Sequence, residues 1–210
     1  MDPSHEPRVA AFLRERVRPG VVCFDVGANV GVYALQFAHW SAPDGQVVAF
    51  EPNPAAFDGL ASHIRLNHLV DRIRAVKVGI GSDEGWATLW AAGPQGESRI
   101  GSPEPTLAAG SRALSVPLTT IDRFCDSTGI EPDWLLIDIE GFELAALRGA
   151  ERTILRRKSA LGIVTEMHPY AWASLGENNP RKHGNPDWEL DTAGFELTNG
   201  RGGRSFSAVA

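Results

Sequence analysis

The sequence predicts an α/β fold in which a mostly parallel β-sheet is covered by helices on both faces. Short apolar runs such as Val21–Phe24 and Gln46–Phe50 alternate with segments of helical periodicity. Runs that are apolar throughout are typical of strands buried on both sides. Strands that alternate with helices favour a parallel sheet with right-handed crossovers. These observations together indicate a layered α/β protein.

The chain of 210 residues is long enough for a substantial core, and we predict one domain over residues 1–210. Residues 1–19 contribute an amphipathic helix at Val9–Val17, which Pro19-Gly20 terminates. The strands predicted for the parallel sheet are Val21–Asp25, Gln46–Phe50, Ile73–Ile80, Asp133–Ile139 and Ala160–Thr165. The helices predicted after them start at Val30, at Pro54 (to Leu69), at Thr119 (to near Gly129) and after Glu143, with a break near Gly149.

Residues 83–118 interrupt this alternation between strands three and four. Gly85–Trp90 and Ala113–Leu118 alternate in hydropathy and predict an antiparallel hairpin. The stretch between them, Ala91–Arg112, is rich in Gly, Pro and Ser and predicts a mobile surface loop. This hairpin insertion is a candidate substrate lid. Near the C-terminus we expect a polar loop (residues 176–186), a helix (Trp188–Ala193) and a closing hairpin (Phe195–Asn199 with Ser205–Ala210).

The composition argues against several classes of protein. A formal net charge of -6 disfavours a nucleic-acid binder, which would carry a basic face. No run of 18 apolar residues and no charged-then-apolar leader is present, so we expect neither a membrane span nor a signal peptide. Cys23 and Cys125 form no metal or disulfide framework, which favours the reducing cytoplasm. The oligomeric state stays open, with a homodimer as one option.

The segment from Asp25 to Gly31 (DVGANVG) joins the first strand to its helix and is a candidate ligand-binding turn. Gly27 can adopt a backbone conformation closed to other residues and leaves no Cβ where a ligand must approach. Free N–H groups at the helix start can hold an anion. The segment lacks both G-x-G-x-x-G and the lysine of a P-loop. It therefore suits a ligand with a carboxylate and an ammonium, such as S-adenosylmethionine, although a tight turn without ligand remains the alternative.

Two further segments should lie beside this turn. Glu51 comes 24 residues after Gly27, at the end of the second strand, where an acid can accept hydrogen bonds from ribose hydroxyls. The alternative for Glu51 is an acid that interacts with the dipole of the helix starting at Pro54. The loop at Gly79-Ile80 ends strand three and would pass beside an adenine, or be a plain strand exit. The predicted cofactor-binding residues are Asp25, Gly27, Ala28, Asn29, Gly31, Glu51, Pro52, Gly79 and Ile80.

Acidic residues and one histidine follow strands four and five. Ligands in such sheets lie outside the carboxyl ends of the strands, which places Asp138, Glu140, Glu166 and His168 around one crevice. Asp138 and His168 are the candidate catalytic residues. Asp138 would otherwise cap the next helix, and His168 would be a loop histidine before Pro169. Asp138, Glu140 and Glu166 are also a possible carboxylate set for Mg²⁺.

The motifs resemble those of the FkbM family of S-adenosylmethionine-dependent methyltransferases. The resemblance spans about residues 20–170. It rests on residues 25–31 (DVGANVG), 50–54 (FEPNP), 118–122 (LTTID), 137–143 (IDIEGFE), 147–149 (LRG) and 166–169 (EMHP). One position departs from the family pattern, which usually has a lysine two residues before the strand-four aspartate, where this chain has Leu136.

The resemblance implies a class I methyltransferase fold and O-methylation of a hydroxyl on a sugar or a polyketide natural product. Methyl transfer is an in-line displacement that needs the reacting groups aligned in a dry pocket, with a base near the hydroxyl. His168 titrates in a suitable range and Asp138 would act directly. The rival hypotheses are an NAD-dependent sugar oxidoreductase or epimerase with a degenerate fingerprint, and a binding protein of the same fold without activity.

Overall fold

The structure is a computed structural model that describes residues 7–91, 98–101, 112–168, 195–199 and 204–208. Its helices are α1 (Pro7–Arg16), α2 (Val32–Trp40), α3 (Pro54–Leu66), α4 (Ile121–Thr128), α5 (Glu143–Arg148) and α6 (Glu151–Arg157), with a short 3-10 helix at Lys158–Ala160. Its strands are β1 (Val22–Val26), β2 (Gln46–Phe50), β3 (Ile73–Val76), β4 (Gly79–Ile80), β5 (Gly85–Ala91), β6 (Ser98–Ile100), β7 (Arg112–Thr119), β8 (Trp134–Ile137), β9 (Gly162–Met167), β10 (Phe195–Asn199) and β11 (Arg204–Ala208).

The main sheet has seven strands in the order β10-β11-β9-β8-β1-β2-β3. Strands β9, β8, β1, β2 and β3 run parallel, while β11 is antiparallel to β9 and to β10. The predicted closing hairpin is therefore confirmed in its backbone. The strand order reverses at β1, which has β2 on one side and β8 on the other. Ligands of open α/β sheets bind outside the carboxyl ends of the strands at such a reversal.

Strand β1 is buried because both faces of the sheet are covered. On one face its Cys23 belongs to an apolar cluster with residues of α1, α2 and α3. On the other face Phe24 packs edge to face against Phe50 and Phe124, with ring centroids 5.6 and 5.5 Å away. The near-continuous apolar sequence of β1 follows from this double burial. Cys23 and Cys125 are both free and buried.

The second sheet differs from the predicted hairpin. It has four strands in the order β4-β7-β5-β6, and its interior includes Leu89, Ile100 and Val116. The predicted third strand, Ile73–Ile80, is wrong as one element because the N–H of Val78 donates to the carbonyl of Val76 at 3.0 Å. This tight turn sends β3 into the main sheet and β4 into the second. The expected loop Ala91–Arg112 contains β6, which pairs antiparallel with β5.

Two further boundaries follow from local packing. The helix after strand four is two helices, α5 and α6, because the carbonyl of Gly149 accepts the N–H of Asp122 at the break. The fifth strand starts later than predicted because Lys158–Ala160 forms the 3-10 helix. Residues 176–186 and the helix predicted at Trp188–Ala193 lie outside the described residues. Among the helices that the structure describes, none combines the length and the apolar character needed to cross a bilayer.

Candidate active site

The predicted site residues lie at one edge of the main sheet. Asp25 is the fourth residue of β1, Glu51 follows β2, and Asp138 follows β8. Glu166 lies near the end of β9, and His168 follows that strand. Because these strands are parallel neighbours, their carboxyl ends bring the five side chains to the same edge of the sheet.

Asp25 is a deeply buried acid. Its side chain is 3% exposed, and its Oδ2 atom has no hydrogen-bond partner among the described residues. Burial, followed by the charge of Asp138, raises the pKa of Asp25 to about 7, although the amide of Ala34 donates to its carboxylate and lowers it. Ala34 lies in the first turn of α2, so Asp25 also occupies one N–H group of that helix start. A buried carboxylate oxygen without a partner is a site for a hydrogen-bond donor with positive charge.

The β1–α2 turn satisfies its own amides, which the sequence patterns did not reveal. The N–H groups of Gly27 and Ala28 both donate to the carbonyl of Phe50 at 3.0 Å, and that of Gly31 donates to Ala28. The N–H of Asn29 donates to Oε2 of Glu51 at 2.8 Å. Three of these amides, those of Gly27, Ala28 and Asn29, tie the turn to the end of β2, and the fourth closes the turn on itself. The four amides are therefore not the free anion site that the sequence suggested. Any role of the turn in ligand binding would come through its shape and the carboxylates beside it.

Gly27 is required for a different reason than the sequence suggested. Its φ is +88°, a conformation that residues with a Cβ rarely adopt. A Cβ at this position would lie 2.0 Å from the carbonyl oxygen of Asp138. The glycine therefore lets β1 and the loop after β8 approach each other, and the space that we assigned to a ligand is filled by the chain itself.

Glu51 is held by two backbone amides. Its Oε2 accepts from Asn29, and its Oε1 accepts from the N–H of Asn53 at 2.7 Å. The side chain is 6% exposed, and burial raises the pKa of Glu51 to about 7 against the lowering effect of those two hydrogen bonds. Each carboxylate oxygen keeps a second lone pair for a ligand hydroxyl. The helix α3 is capped by Asn53, whose Oδ1 accepts the amide of Ala55, so Glu51 is not the cap.

Asn53 contacts the candidate site residue Glu51, and sequence reasoning did not single it out. Besides capping α3, its Nδ2 donates to Oγ of Ser98 at 2.9 Å. Ser98 begins β6 in the second sheet, so this bond joins the loop after β2 to the insertion. The N-cap signal of Asn53 before Pro54 was visible in the sequence, whereas its contact with residue 98 was not.

The remaining predicted cofactor residues lie on the same side of the sheet. Pro52 is partly exposed beside Glu51. Gly79 and Ile80 are buried in β4, where they pair with the end of β7. The following Gly81 packs near Phe142, since a Cβ on it would lie 3.0 Å from that ring. The structure therefore places the β4 segment next to the loop that carries Asp138 and Glu140.

The loop from Asp138 to Glu143 has an unusual backbone. Glu140 has a φ of +53° and Gly141 a φ of +105°, so two successive residues are in the left-handed region. The N–H of Gly141 donates to Oε1 of Glu143 at 2.6 Å. Positive φ at a non-glycine residue costs free energy and is concentrated at functional sites. This turn directs the Glu140 carboxylate back toward β9.

His168 lies among these carboxylates. Its Nδ1 is 2.7 Å from Oε1 of Glu143, and its Nε2 is 3.4 Å from Glu140 and 3.8 Å from Glu166. Burial of the ring opposes protonation, but the hydrogen bond to Glu143 and the charges of the neighbouring acids outweigh it and raise the pKa of His168 to about 9. At neutral pH both ring nitrogens therefore carry a proton in the metal-free protein. This protonation argues against His168 as the base.

Glu143 is the second residue whose importance the sequence did not reveal. A glutamate in the first turn of a helix is normally a solvated acid that favours the dipole, yet this side chain is 0% exposed. It accepts from the backbone of its own loop and contacts the His168 ring. In the sequence, Glu143 only indicates the start of a helix. Its burial becomes evident in the structure, where His168 at the end of β9 packs against it.

Other segments of the quoted motifs have structural roles. Asp122 is buried and accepts from the N–H and Oγ1 of Thr153 at 2.8 and 2.7 Å, which caps α6. Gly149 lies against the carbonyl of Gly81, where a Cβ would be 2.0 Å from the oxygen. Leu136 is buried in the cluster that includes Cys23 and pairs in register with Asp25.

Comparison with known proteins places the chain among methyltransferases. The family profile described as "Methyltransferase FkbM domain" matches residues 25–187. The 31-O-demethyl-FK506 methyltransferase FkbM of Streptomyces tacrolimicus is 44% identical over 64 residues, which are 30% of this chain and 24% of that protein. The hexuronic acid methyltransferase AglP of Haloferax volcanii is 26% identical over 170 residues, which are 78% of this chain and 62% of that protein. The matches thus span from about a quarter to about three fifths of these two relatives.

Solved structures show the same fold. A methyltransferase FkbM from Methylobacillus flagellatus superposes with a TM-score of 0.56 at 17% identity, covering 94% of this chain and 50% of that one. An rRNA methylase from Streptococcus thermophilus gives 0.53 at 11% identity, covering 99% and 94%. At such identities the likeness concerns the fold alone. The class I methyltransferase fold predicted from the sequence is confirmed.

Proposed function

The chain belongs to the FkbM methyltransferase family, and on that premise we propose that it is an S-adenosylmethionine-dependent O-methyltransferase. The proposed acceptor is a hydroxyl of a small molecule, a sugar or a glycosylated or polyketide natural product. One relative is named for a hexuronic acid and another for 31-O-demethyl-FK506, both of which are small hydroxylated molecules. Transfer to oxygen and the acceptor class are the parts of this proposal that need experiment.

The observation that carries the cofactor assignment is the pair of buried acids at the strand-order reversal. Asp25 and Glu51 end adjacent strands, and both have a pKa raised to about 7 by burial. Two buried acids side by side favour a ligand that brings positive charge and hydrogen-bond donors. S-adenosylmethionine, which supplies a sulfonium methyl group for in-line attack, carries an ammonium, a sulfonium and a ribose diol. We assign the ammonium to Asp25 and the ribose hydroxyls to Glu51.

The remaining predicted cofactor residues would shape this pocket. Gly27, Ala28 and Asn29 would hold the turn against the end of β2, and Gly31 would close the turn, so that the positions of both acids are fixed. Pro52 and the β4 residues Gly79 and Ile80 would border the adenine. Because the turn amides already have partners, we assign these residues contacts of shape and not hydrogen bonds to the methionine carboxylate.

Asp138 is the residue that we propose as the base. Asp138 is close to both Asp25 and His168, and its charge raises the pKa of each of these two residues. In its ionised form the Asp138 carboxylate can accept a hydroxyl proton. His168 would lie beside the base, and the second sheet, joined to the loop after β2 through Asn53, would cover the acceptor.

The test is transfer of a labelled methyl group from S-adenosylmethionine to a panel of glycosides, uronic acids and polyketide alcohols. We expect an O-methylated product from the wild type and no turnover from an Asp138→Ala, His168→Ala double variant that still binds the cofactor. Full turnover by the double variant would remove the catalytic assignment. The Asp58→Asn variant, altered at an exposed acid on α3, is the matched control and should retain activity.

Binding and transfer assays on the same protein distinguish two rival functions. A nicotinamide-dependent oxidoreductase would bind NAD tightly, which the absent G-x-G-x-x-G disfavours. A binding protein without activity would take up S-adenosylmethionine but transfer no label to any acceptor. The replacement of the usual family lysine by Leu136 is the feature that favours this second rival.

A further inference from the structure

Three potential metal ligands lie together at the ends of two neighbouring strands. Ile137 of β8 pairs in register with Thr165 of β9, so the residues that follow them, Asp138 and Glu166, are adjacent across the strands. His168 is two residues after Glu166 and so returns to the same face. One ligand atom from each of these three side chains lies within 4.8 Å of the others. This set includes His168 and leaves out Glu140, unlike the carboxylate set that the sequence suggested.

The orientation of the His168 ring is fixed by a contact at Nδ1, the nitrogen that faces away from the proposed ion. Its Nδ1 contacts Oε1 of Glu143 at 2.7 Å, and the fully buried Glu143 is itself held by the N–H of Gly141 at 2.6 Å. The other ring nitrogen, Nε2, consequently faces the carboxylates of Glu140 and Glu166. A carboxylate that binds one ring nitrogen while the other faces the ligand position is the usual arrangement of a metal-binding histidine.

We propose that Asp138, Glu166 and Nε2 of His168 bind a divalent transition-metal ion, with Glu143 orienting the histidine and any proton on Nε2 released to solvent as the ion binds. An imidazole ligand favours Mn²⁺, Fe²⁺, Co²⁺ or Zn²⁺ over Mg²⁺ and Ca²⁺, which take oxygen ligands. Three protein ligands leave coordination positions for a water or an acceptor hydroxyl. The inference deepens the proposed function and rests on it only for the chemical role, which is to lower the pKa of a coordinated hydroxyl.

The metal site can be tested without cofactor or acceptor. The 210-residue chain, freed of metals with a chelator, is titrated with MnCl₂ or ZnCl₂ by calorimetry. Bound Mn²⁺ is examined by electron spin-echo envelope modulation. We expect one ion per chain and a ¹⁴N coupling from the histidine in the wild type. His168→Ala should lose the ¹⁴N coupling, and Glu166→Gln should weaken binding. Glu143→Gln should weaken binding roughly 10–100-fold through the histidine orientation.

Controls separate ligation from general charge and from misfolding. Glu140→Gln removes a nearby negative charge outside the ligand set and should retain the ¹⁴N coupling. Each variant is compared with the wild type by circular dichroism, and His168→Asn and Glu166→Asp replace any variant that does not fold. The proposal is overturned if the wild type binds neither ion at about 1 mM, or if His168→Ala and Glu166→Gln bind as tightly as the wild type.

Failure of this inference would be distinguishable from failure of the proposed function. Binding of S-adenosylmethionine is measured on the same metal-free protein. Cofactor binding without metal binding would leave a methyltransferase that relies on Asp138 alone. Metal binding without cofactor binding would keep the metal site and remove the methyltransferase.

Discussion

At the scale of single residues, Asp25 and Leu136 determine the charge of the proposed cofactor pocket. They are register partners on β1 and β8, so their side chains project from the same face of the sheet. A lysine at position 136, as is usual in the family that the sequence resembles, would lie beside the Asp25 carboxylate. Leucine at 136 gives Asp25 no such counter-charge, and the raised pKa of Asp25 is consistent with this loss.

Asp25→Asn should stabilise the cofactor-free protein and abolish tight cofactor binding. The folded protein holds a proton on Asp25 up to pH about 7, whereas the unfolded chain releases it near pH 4. The free energy of unfolding therefore falls as pH rises from about 4 to about 7. At pH 8 the variant should gain about 1–3 kcal/mol, or several degrees in melting temperature. Thermal unfolding from pH 4 to 9 measures this, and equal pH dependence in variant and wild type would contradict it.

Leu136→Lys should change the pH dependence of cofactor binding. In the wild type, a cationic ligand must ionise Asp25 and Glu51, so affinity should rise as pH increases through about 7. A lysine beside Asp25 would lower its pKa and move that rise to lower pH. Calorimetric titrations between pH 5.5 and 8.5 test this. Leu136→Met is the matched control of similar size without charge, and an unchanged profile in the lysine variant would refute the pairing.

At the scale of elements, the β1–α2 turn is held in place by neighbouring segments of the chain. The amides of Gly27, Ala28 and Asn29 donate to the end of β2, and Gly27 lies against the backbone of the loop after β8. The sequence predicted a Gly-rich turn, its place after a strand, and the acids beside it. It could not predict which group fills the space next to Gly27, because that group, Asp138, is more than a hundred residues away.

Gly27→Ala should destabilise the protein far more than Gly20→Ala. Both glycines have a similar φ, +88° and +89°, so the conformational penalty of roughly 1–2 kcal/mol is shared. Only at Gly27 does an added Cβ meet a backbone atom, whereas Gly20 has nothing within 4 Å. We expect Gly27→Ala to cost at least about 2 kcal/mol more. Urea unfolding measures both, and equal losses would show that the contact with Asp138 is not tight.

The insertion shows the limits of sequence patterns at this scale. Alternating hydropathy predicted β5 and β7 nearly to the residue, because one face of the second sheet is buried. The short strand β4 was joined to β3 and β6 was missed, since two or three residues carry no periodicity. They are defined by pairing with β7 and β5, which is a tertiary contact.

At the scale of the whole molecule, the order of the strands brings the acidic residues and His168 to one edge of the main sheet. Sequence motifs indicated the βα alternation and the acids at the strand ends, and these two features are enough to predict which edge of the sheet carries the acids. The motifs did not separate site residues from structural ones. Asp122 caps α6 and Gly149 allows close packing, whereas Asn53 and Glu143, which look like ordinary helix-start residues, link the site to its surroundings.

The most direct test of the whole account is calorimetric titration of the folded wild-type protein with S-adenosylmethionine at pH 8. We predict one binding site per chain, with affinity reduced roughly 10–100-fold in Glu51→Ala through the loss of charged hydrogen bonds, and unchanged in Asp58→Asn. No heat and no thermal shift with S-adenosylmethionine or S-adenosylhomocysteine would contradict the account, and unchanged affinity in Glu51→Ala would remove the ribose assignment.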